Sequence, residues 1–436
     1  MKLLPWVPKV IFAIMLSGCG GSDSSGTDST PVPVPVPVPE PVQTLTLKTE
    51  TENQCVEATP YADATLVFHN ENGDVIEQIP GKSDGLFSVS IPAAAKHVSI
   101  LGKTKYIWDR VIEGDEITTF LDVQSGDLGI VRFVDYSVKN NCGCRDVELD
   151  AEALLVNYSG HLIGKSGLSK LDINRTQVST EICSSDNNIL GIQLVSADYK
   201  TSSVALIDMT GKSEYQLEEA DFSHQGIRII AAPNMETLSS LFTAYKLKTN
   251  PSLAKESIEK LHSPFIYPSI DGYAEFLATG NLDNARFTVK TRVTDNADIS
   301  TLLPLNFNES NKHLKTEISQ AVLGNTYPIS YDFSSLDDKV SQFRFALDYY
   351  NESNSSVYWK IYGGASGSLP DLQFPTTSKR LSQINIVAPS VGITAYQQAY
   401  DLQALRAAIA KRQHSSNWQA SSPLETSRGI HFTIQN

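Results

Sequence analysis

The 436-residue chain contains no apolar run approaching the roughly 20 residues that a membrane-crossing helix needs, which excludes a multi-span membrane protein. It also lacks a basic surplus. Lys and Arg number 35 against 49 Asp and Glu, a net charge of −14, so the electrostatic footprint of general nucleic-acid binding is missing. The eight histidines form no His-Glu-x-x-His pattern and no close pair, which removes the helical zinc-site signature. With 26 Gly, 21 Pro, 41% hydrophobic and 19% charged residues, neither a collagen-like rod nor a wholly disordered chain is compatible. What is left is a soluble globular chain long enough for about two to four domains.

The first residues are the most specific. Lys2 and Lys9 precede a short apolar run, Val10–Leu16, too short to span a bilayer and suited to a signal-peptide core. It ends in Leu16-Ser17-Gly18-Cys19. This segment resembles the lipobox of bacterial lipoproteins. The resemblance implies cleavage before Cys19, lipidation of its thiol with acyl chains such as palmitate, and acylation of the new amino group. Several acyl chains on one residue anchor stably, whereas one chain binds only marginally. Gly20 follows where an aspartate would resemble an inner-membrane retention signal, so the outer membrane is the expected address, with either leaflet open.

Residues 20–30 are flexible and polar, and Pro31–Pro41 alternates proline with valine almost throughout. Proline at every second position fixes φ and removes amide donors, leaving polyproline II, a semi-rigid spacer roughly 35 Å long at about 3.1 Å per residue. Beside a lipid anchor this reads as a stalk.

Four cysteines remain: Cys55, Cys142, Cys144 and Cys183. In an exported chain an even number suggests two disulfides. A bond within Cys142-Gly143-Cys144 would be strained, so each is expected to reach Cys55 or Cys183, in either order. The alternative is a metal or redox site on Cys-Gly-Cys, but a second close pair of the kind structural zinc uses is missing.

From Thr44 the chain reads as strand after strand. Ala64–Phe68 leads into the turn Asn70-Glu71-Asn72-Gly73-Asp74, and Asp84-Gly85 precedes the alternating Leu86–Ile91. Residues 45–134 thus resemble the carboxypeptidase-regulatory-like or immunoglobulin-like modules of bacterial surface proteins. That resemblance implies a β-sandwich used for spacing or contact and brings no catalytic residue. Further strands are expected at Asp150–Tyr158, Ile189–Val195, Ser203–Met209, Gly226–Ala232, Asn284–Val293, Gln342–Asp348, Val357–Tyr362 and Gly429–Gln435. Helices are expected at Met235–Tyr245, at Ser252–His262 and, best of all, at Ala395–Arg412. In the last, Ala399, Leu402, Leu405 and Ile409 line one face, with Arg406, Lys411 and Arg412 elsewhere. The expected fold is mainly β: tandem β-sandwich-like domains with a few short helices and one C-terminal amphipathic helix. The segments are 1–18 signal peptide, 19–43 tether, 44–144 first domain, 145–272 second and 273–436 third.

Catalytic motifs fail on spacing. Gly160–Ser166 has three residues where a phosphate-binding P-loop needs four, and Gly364-Ala365-Ser366-Gly367-Ser368 lacks the last glycine of a nucleophile elbow. Asp295–Asp298 and Asn70–Asp74 offer oxygens for calcium but match no twelve-residue loop and read as turns. No metal and no cofactor is called for. Exposed aromatics remain the lead: Tyr349, Tyr350, Tyr358, Trp359 and Tyr362, flanked by Asn and Asp, suit sugar stacking or protein contact, or else pack a core. The expected function is non-catalytic, a binding or structural module for an envelope protein or a surface polysaccharide, held to the membrane through its lipid. The alternative is a glycan-directed hydrolase, whose acid pair is set by three-dimensional spacing.

Overall fold

The computed structural model describes residues 43–137 (except 56 and 108–110), 142–155, 160–164, 167–170, 176–183, 188–228 (except 199), 240–245, 256–257, 265–270 (except 268), 272–282, 285–293, 324, 326–350, 356–374, 379–415 (except 385 and 387–388) and 423–434 (except 425). The fold is mainly β, with several sheets.

The first region supplies β1 (Thr44–Glu52), β2 (Thr65–His69), β3 (Val75–Pro80), β4 (Leu86–Ser90), β5 (His97–Ile107), β6 (Val111–Phe120) and β7 (Gly126–Val134). Both expected turns form. Gly73 and Gly85 adopt φ of 85° and 68°, which a side chain would resist. Strand β1 pairs with β4 antiparallel and β7 parallel, and this small sheet faces β2 and β5. Leu45, Leu47, Phe87 and Phe133 from one side meet Leu66, Phe68, Val98 and Ile100 from the other, which is the sandwich that the alternation predicts.

The second region contains β8 (Arg145–Asp150), α1 (Glu152–Leu155), β9 (Gly160–Gly164), β10 (Gly167–Lys170), β11 (Gln177–Ile182), β12 (Ile189–Ser196), β13 (Ser202–Asp208) and β14 (Glu214–Gln216). The strand expected at Asp150–Tyr158 is not continuous. Asp150 Oδ1 accepts from the Glu152 amide at 2.9 Å, and the chain turns into α1. Val147, Leu149, Ile192, Leu194 and Ile207 form a separate core.

Both disulfides form, as Cys55–Cys142 and Cys144–Cys183. Cys142 and Gly143 lie at φ of 50° and 58°, so the chain leaves strand geometry there and the two sulfurs reach different partners.

The third region contributes β15 (Ser240–Tyr245), β16 (Gly272–Leu282), β17 (Ala285–Val293), β18 (Ile329–Asp332), β19 (Val340–Tyr350), β20 (Ser356–Gly363), β21 (Ser366–Leu369), β22 (Ser390–Tyr396), α2 (Leu402–His414) and β23 (Ser427–Ile434). Three helix expectations need correction. Ser240–Tyr245 is a strand paired with Gly272–Leu277, because Phe242, Thr243 and Tyr245 favour a ladder once a partner strand exists; residues 235–239 lie outside the described residues. Glu256–Ser257, the described part of the second candidate, is also a strand. The last helix begins seven residues later than expected, since Ala395 and Tyr396 close β22 and Asp401 caps the helix by accepting from the Gln403 and Ala404 amides.

One sheet joins the first and third regions across the boundaries read at 144 and 272. Its 12 strands run Glu256–Ser257, β15, β16, β17, β23, β22, β19, β20, β6, β5, β2, β3. The junction is a parallel pair, β6 with β20, in register from Asp115↔Val357 to Phe120↔Tyr362. The two cores use opposite faces of this sheet. Even-numbered residues of β2 and β5 enter the first core, while odd-numbered residues of β19 and β20 enter the third, with Phe343, Phe345, Trp359 and Ile361 under Phe333, Leu372 and Phe374.

A buried polar chain crosses the junction. Trp359 Nε1 donates to Thr119 Oγ1 at 2.7 Å, Thr119 meets Ser99 Oγ at 2.6 Å, and Ser99 meets His69 Nε2 at 2.8 Å. His69 Nδ1 lies 3.3 Å from the Gly73 carbonyl, so that nitrogen carries the proton and Nε2 accepts from Ser99. All four side chains are fully buried. Replacing Thr119 by Val keeps the shape but strands the Trp359 N–H. The expected loss is about 1–3 kcal/mol, read as a lower urea midpoint at unchanged m-value.

Candidate functional site

The even-numbered residues of β20 and β19 cannot enter the third core, so they line the opposite face of the sheet. Their register is fixed: Arg344 opposes Tyr362, Ala346 opposes Lys360, and Asp348 opposes Tyr358. On the next strands Gly392 continues the Arg344 row and His431 follows it. Side chains step down from the tyrosines and Arg344 to Ser390, Gly392, Thr394 and Gly429. A Cβ at Gly392 would lie 3.6 Å from Arg344 Nε and 3.7 Å from His431 Cδ2, so the glycine leaves a gap between a cation and an imidazole.

The aromatic candidates divide by the same parity. Trp359 is 0% and Tyr349 8% exposed, and both stack edge-on against Phe374, at 4.4 and 4.9 Å between ring centres. They are core residues, unavailable to a ligand, because odd positions face inward here. Tyr358 and Tyr362 share the open face, half-buried, while Tyr350 is 64% exposed at the strand end. Tyr362 stacks on Phe120 with centres 5.8 Å apart, and Lys360 Nζ sits 5.1 Å from the Tyr358 ring centre. Lys360 also pairs with Glu116. Burial works against its ammonium, but Glu116 more than offsets that, and its pKa is raised. Burial lowers His431, and Arg344 adds to the effect; its buried Nε2 has no hydrogen-bond partner among the described residues.

Helix α2 lies beside this face, and two hollows flank it with Ile409 in both walls. One, of about 340 Å³, is shared with β6, β7 and β20. The other, of about 280 Å³, is shared with β22 and β23.

The remaining chemistry is closed off. His69 and Ser99 sit at the distance of a base–nucleophile pair, yet both are sealed in the sheet. The Ser366–Ser368 segment lies in β21, paired antiparallel with β18, and Gly160–Gly164 is a strand paired with β12. In the Asn70–Asp74 turn, Asn70 Oδ1 accepts from the Asn72 and Asp74 amides and Asp74 pairs with Arg380, so its oxygens serve the fold. Asp295–Asp298 lies outside the described residues. Cys144, Cys183 and Glu181 cluster within 4.8 Å, but the two sulfurs are joined to each other and offer no thiolate. Among the described residues no helix is long and apolar enough to cross a membrane.

The chain matches no family model, no curated protein and no solved structure. The site rests on its own chemistry. Sequence reasoning missed Arg344, Gln342, Gly392 and His431, which alternate with core residues along their strands; only the pairing of the strands puts them side by side.

His69 and His97, opposite each other on β2 and β5, bear on stability instead of catalysis. Burial holds each at about 4. An unfolded histidine titrates near 6.5. Between those values the unfolded state binds more protons, so stability is complete above pH 6.5 and falls as pH drops towards 4. The expected loss is on the order of 3 kcal/mol per histidine. Urea unfolding at pH 7.5, 6 and 4.5 should show the fall, and His69→Gln should remove about half of it. A flat profile over that range contradicts neutral buried histidines.

Proposed function

We propose that this chain is a bacterial envelope lipoprotein, acylated at Cys19 and carried on the Pro-Val stalk at the outer membrane. Its body is read as a non-catalytic binding module. Of the two ligand classes expected, a surface polysaccharide is favoured over an envelope protein. The observation that carries this is the open sheet face, where Tyr358 and Tyr362 stand beside Arg344, Gln342 and Asp348 in fixed register. Flat rings with hydrogen-bonding groups at their edges suit stacking against sugar rings and bonding to their hydroxyls.

A hydrolase is the second reading, because two carboxylates share this face. Asp348 and Glu116 oppose Tyr358 from either side, two strand spacings or roughly 10 Å apart. Loss of water around the Asp348 carboxyl lifts it above its ordinary range, as an acid catalyst needs. Glu116, however, is buried and its carboxylate is taken by Lys360, which leaves it poorly placed to activate a water. Binding without turnover is therefore preferred.

Two measurements test this. Metabolic labelling with a palmitate analogue should mark the wild type and not Cys19→Ala; label retained on the variant removes the anchor. Affinity electrophoresis of the full chain through gels of the producing cell's own surface polysaccharide should show retardation. Tyr358→Ala and Tyr362→Ala should each weaken it by about three- to tenfold, with no release of reducing ends. Release that stops in Asp348→Asn moves the assignment to the hydrolase, and a stoichiometric cross-linked protein in intact cells moves it to an assembly component.

A further inference from the structure

The hollow between α2, β7 and the β6–β20 junction has a chemistry of its own. Its walls are apolar on the side of Leu128, Ile130, Leu402 and Ile409, and three cations reach it: Arg132, Lys360 and Arg406. Among the described residues no carboxylate lines it. Two of the cations are already neutralised, Arg132 by Glu50 at 3.0 Å and Lys360 by Glu116.

Arg406 differs. It is only 6% exposed. Its Nη1 and Nη2 donate to the backbone carbonyls of Asp122 and Leu121, its Cζ lies 5.6 Å from the Phe120 ring centre, and its buried Nε has no hydrogen-bond partner among the described residues. Among the described residues no carboxylate forms an ion pair with it. Burial pulls the guanidinium down to about 10, which still leaves it protonated at neutral pH. The Asp122 carboxylate, itself paired with Lys96 at 3.2 Å, offsets only part of that burial, and a buried cation without a direct ion pair is costly, so an anion arriving beside it relieves that cost.

We infer that this hollow binds a medium-chain carboxylate, its tail between α2 and β7 and its head group countering the charge of Arg406. The volume of about 340 Å³ is at the small end of the roughly 300–1,000 Å³ typical of ligand pockets, which favours a medium over a long chain. The apolar walls argue against inorganic anions and acidic sugars. The hollow adjoins the tyrosine face, with Gln342, Lys360 and Tyr362 in the walls of both, but Arg406 and α2 belong to the hollow and the inference does not rest on the glycan reading.

The test uses the purified full chain and a diazirine-bearing decanoate, with decanoate and its uncharged methyl ester as competitors. Photolabel should map to peptides containing Leu128–Arg132 or Leu402–Gln413. Decanoate should compete at least about tenfold better than the ester, the worth of a charge-assisted contact. Arg406→Gln should reduce labelling by a similar factor, and Ile409→Trp, which fills the hollow from its half-buried side, should abolish it. Tyr358→Ala should leave it unchanged. Label spread over other peptides, equal competition by acid and ester, or full labelling of Ile409→Trp would overturn the assignment. Should Arg406→Gln fail to fold, the acid–ester comparison on the wild type and Ile409→Trp decide.

Discussion

The parallel pairing of β6 with β20 is the constraint on which the rest depends. It joins residues about 240 apart in sequence, and the Trp359–Thr119–Ser99–His69 chain fastens it with hydrogen bonds that run across four strands. Loop-closure entropy rises only slowly with loop length, so the intervening region adds little to the cost of the pairing. Water is excluded from every member of the chain, so each polar group depends on its neighbour, and loss of one strands the next. This makes the junction specific: another register would bury the same hydroxyls and indole without partners.

Because the sheet is continuous while its two cores lie on opposite faces, something must happen at the changeover. Strand β7 and its small sheet cover the even-numbered side of β5, and their cover stops near Phe120 and Tyr362. Helix α2 fills the step. Leu405 and Ala410 bury against this shoulder, and Gln413 Oε1 accepts from the Ile130 amide at 2.7 Å. Beyond the helix the even-numbered residues of β19 and β20 have no second layer among the described residues. The tyrosine face and the hollow are thus two consequences of one topological fact.

Much of this was legible in the sequence. Alternation placed most strands, Asn72-Gly73 and Asp84-Gly85 placed turns, and the cysteine count gave two disulfides. What could not be read was pairing between distant strands, because alternation gives a strand two faces without saying which is covered. Trp359 and Tyr358 are adjacent and look equivalent in sequence, yet one is in the core and the other on the open face. Arg406 was a misreading of available information. It lies four residues after Leu402 and three before Ile409, which puts it on the apolar stripe of α2 and not on the solvent side. A long apolar stem normally lets arginine reach water from such a position. Here the guanidinium turns inward to two backbone carbonyls at the end of β6, which no local pattern announces.

The charge distribution fits with these positions. The chain carries −14 overall, yet the open face and hollow bring Arg344, Lys360, Arg132 and Arg406 together, with Asp348 and Glu116 on the face beside them. At physiological ionic strength the Debye length is about 8 Å, so distant carboxylates do little to repel an anion once it is inside. They do slow its approach, since the outer field opposes it. A small mobile anion therefore gains nothing from long-range steering and has only the local cation to hold it. An amphiphile has a second source of affinity in the apolar walls, at about 0.8 kcal/mol for each buried methylene. An acidic exterior combined with a buried guanidinium that has no ion pair among the described residues thus selects for anions that bring apolar surface with them, and against those that bring charge alone.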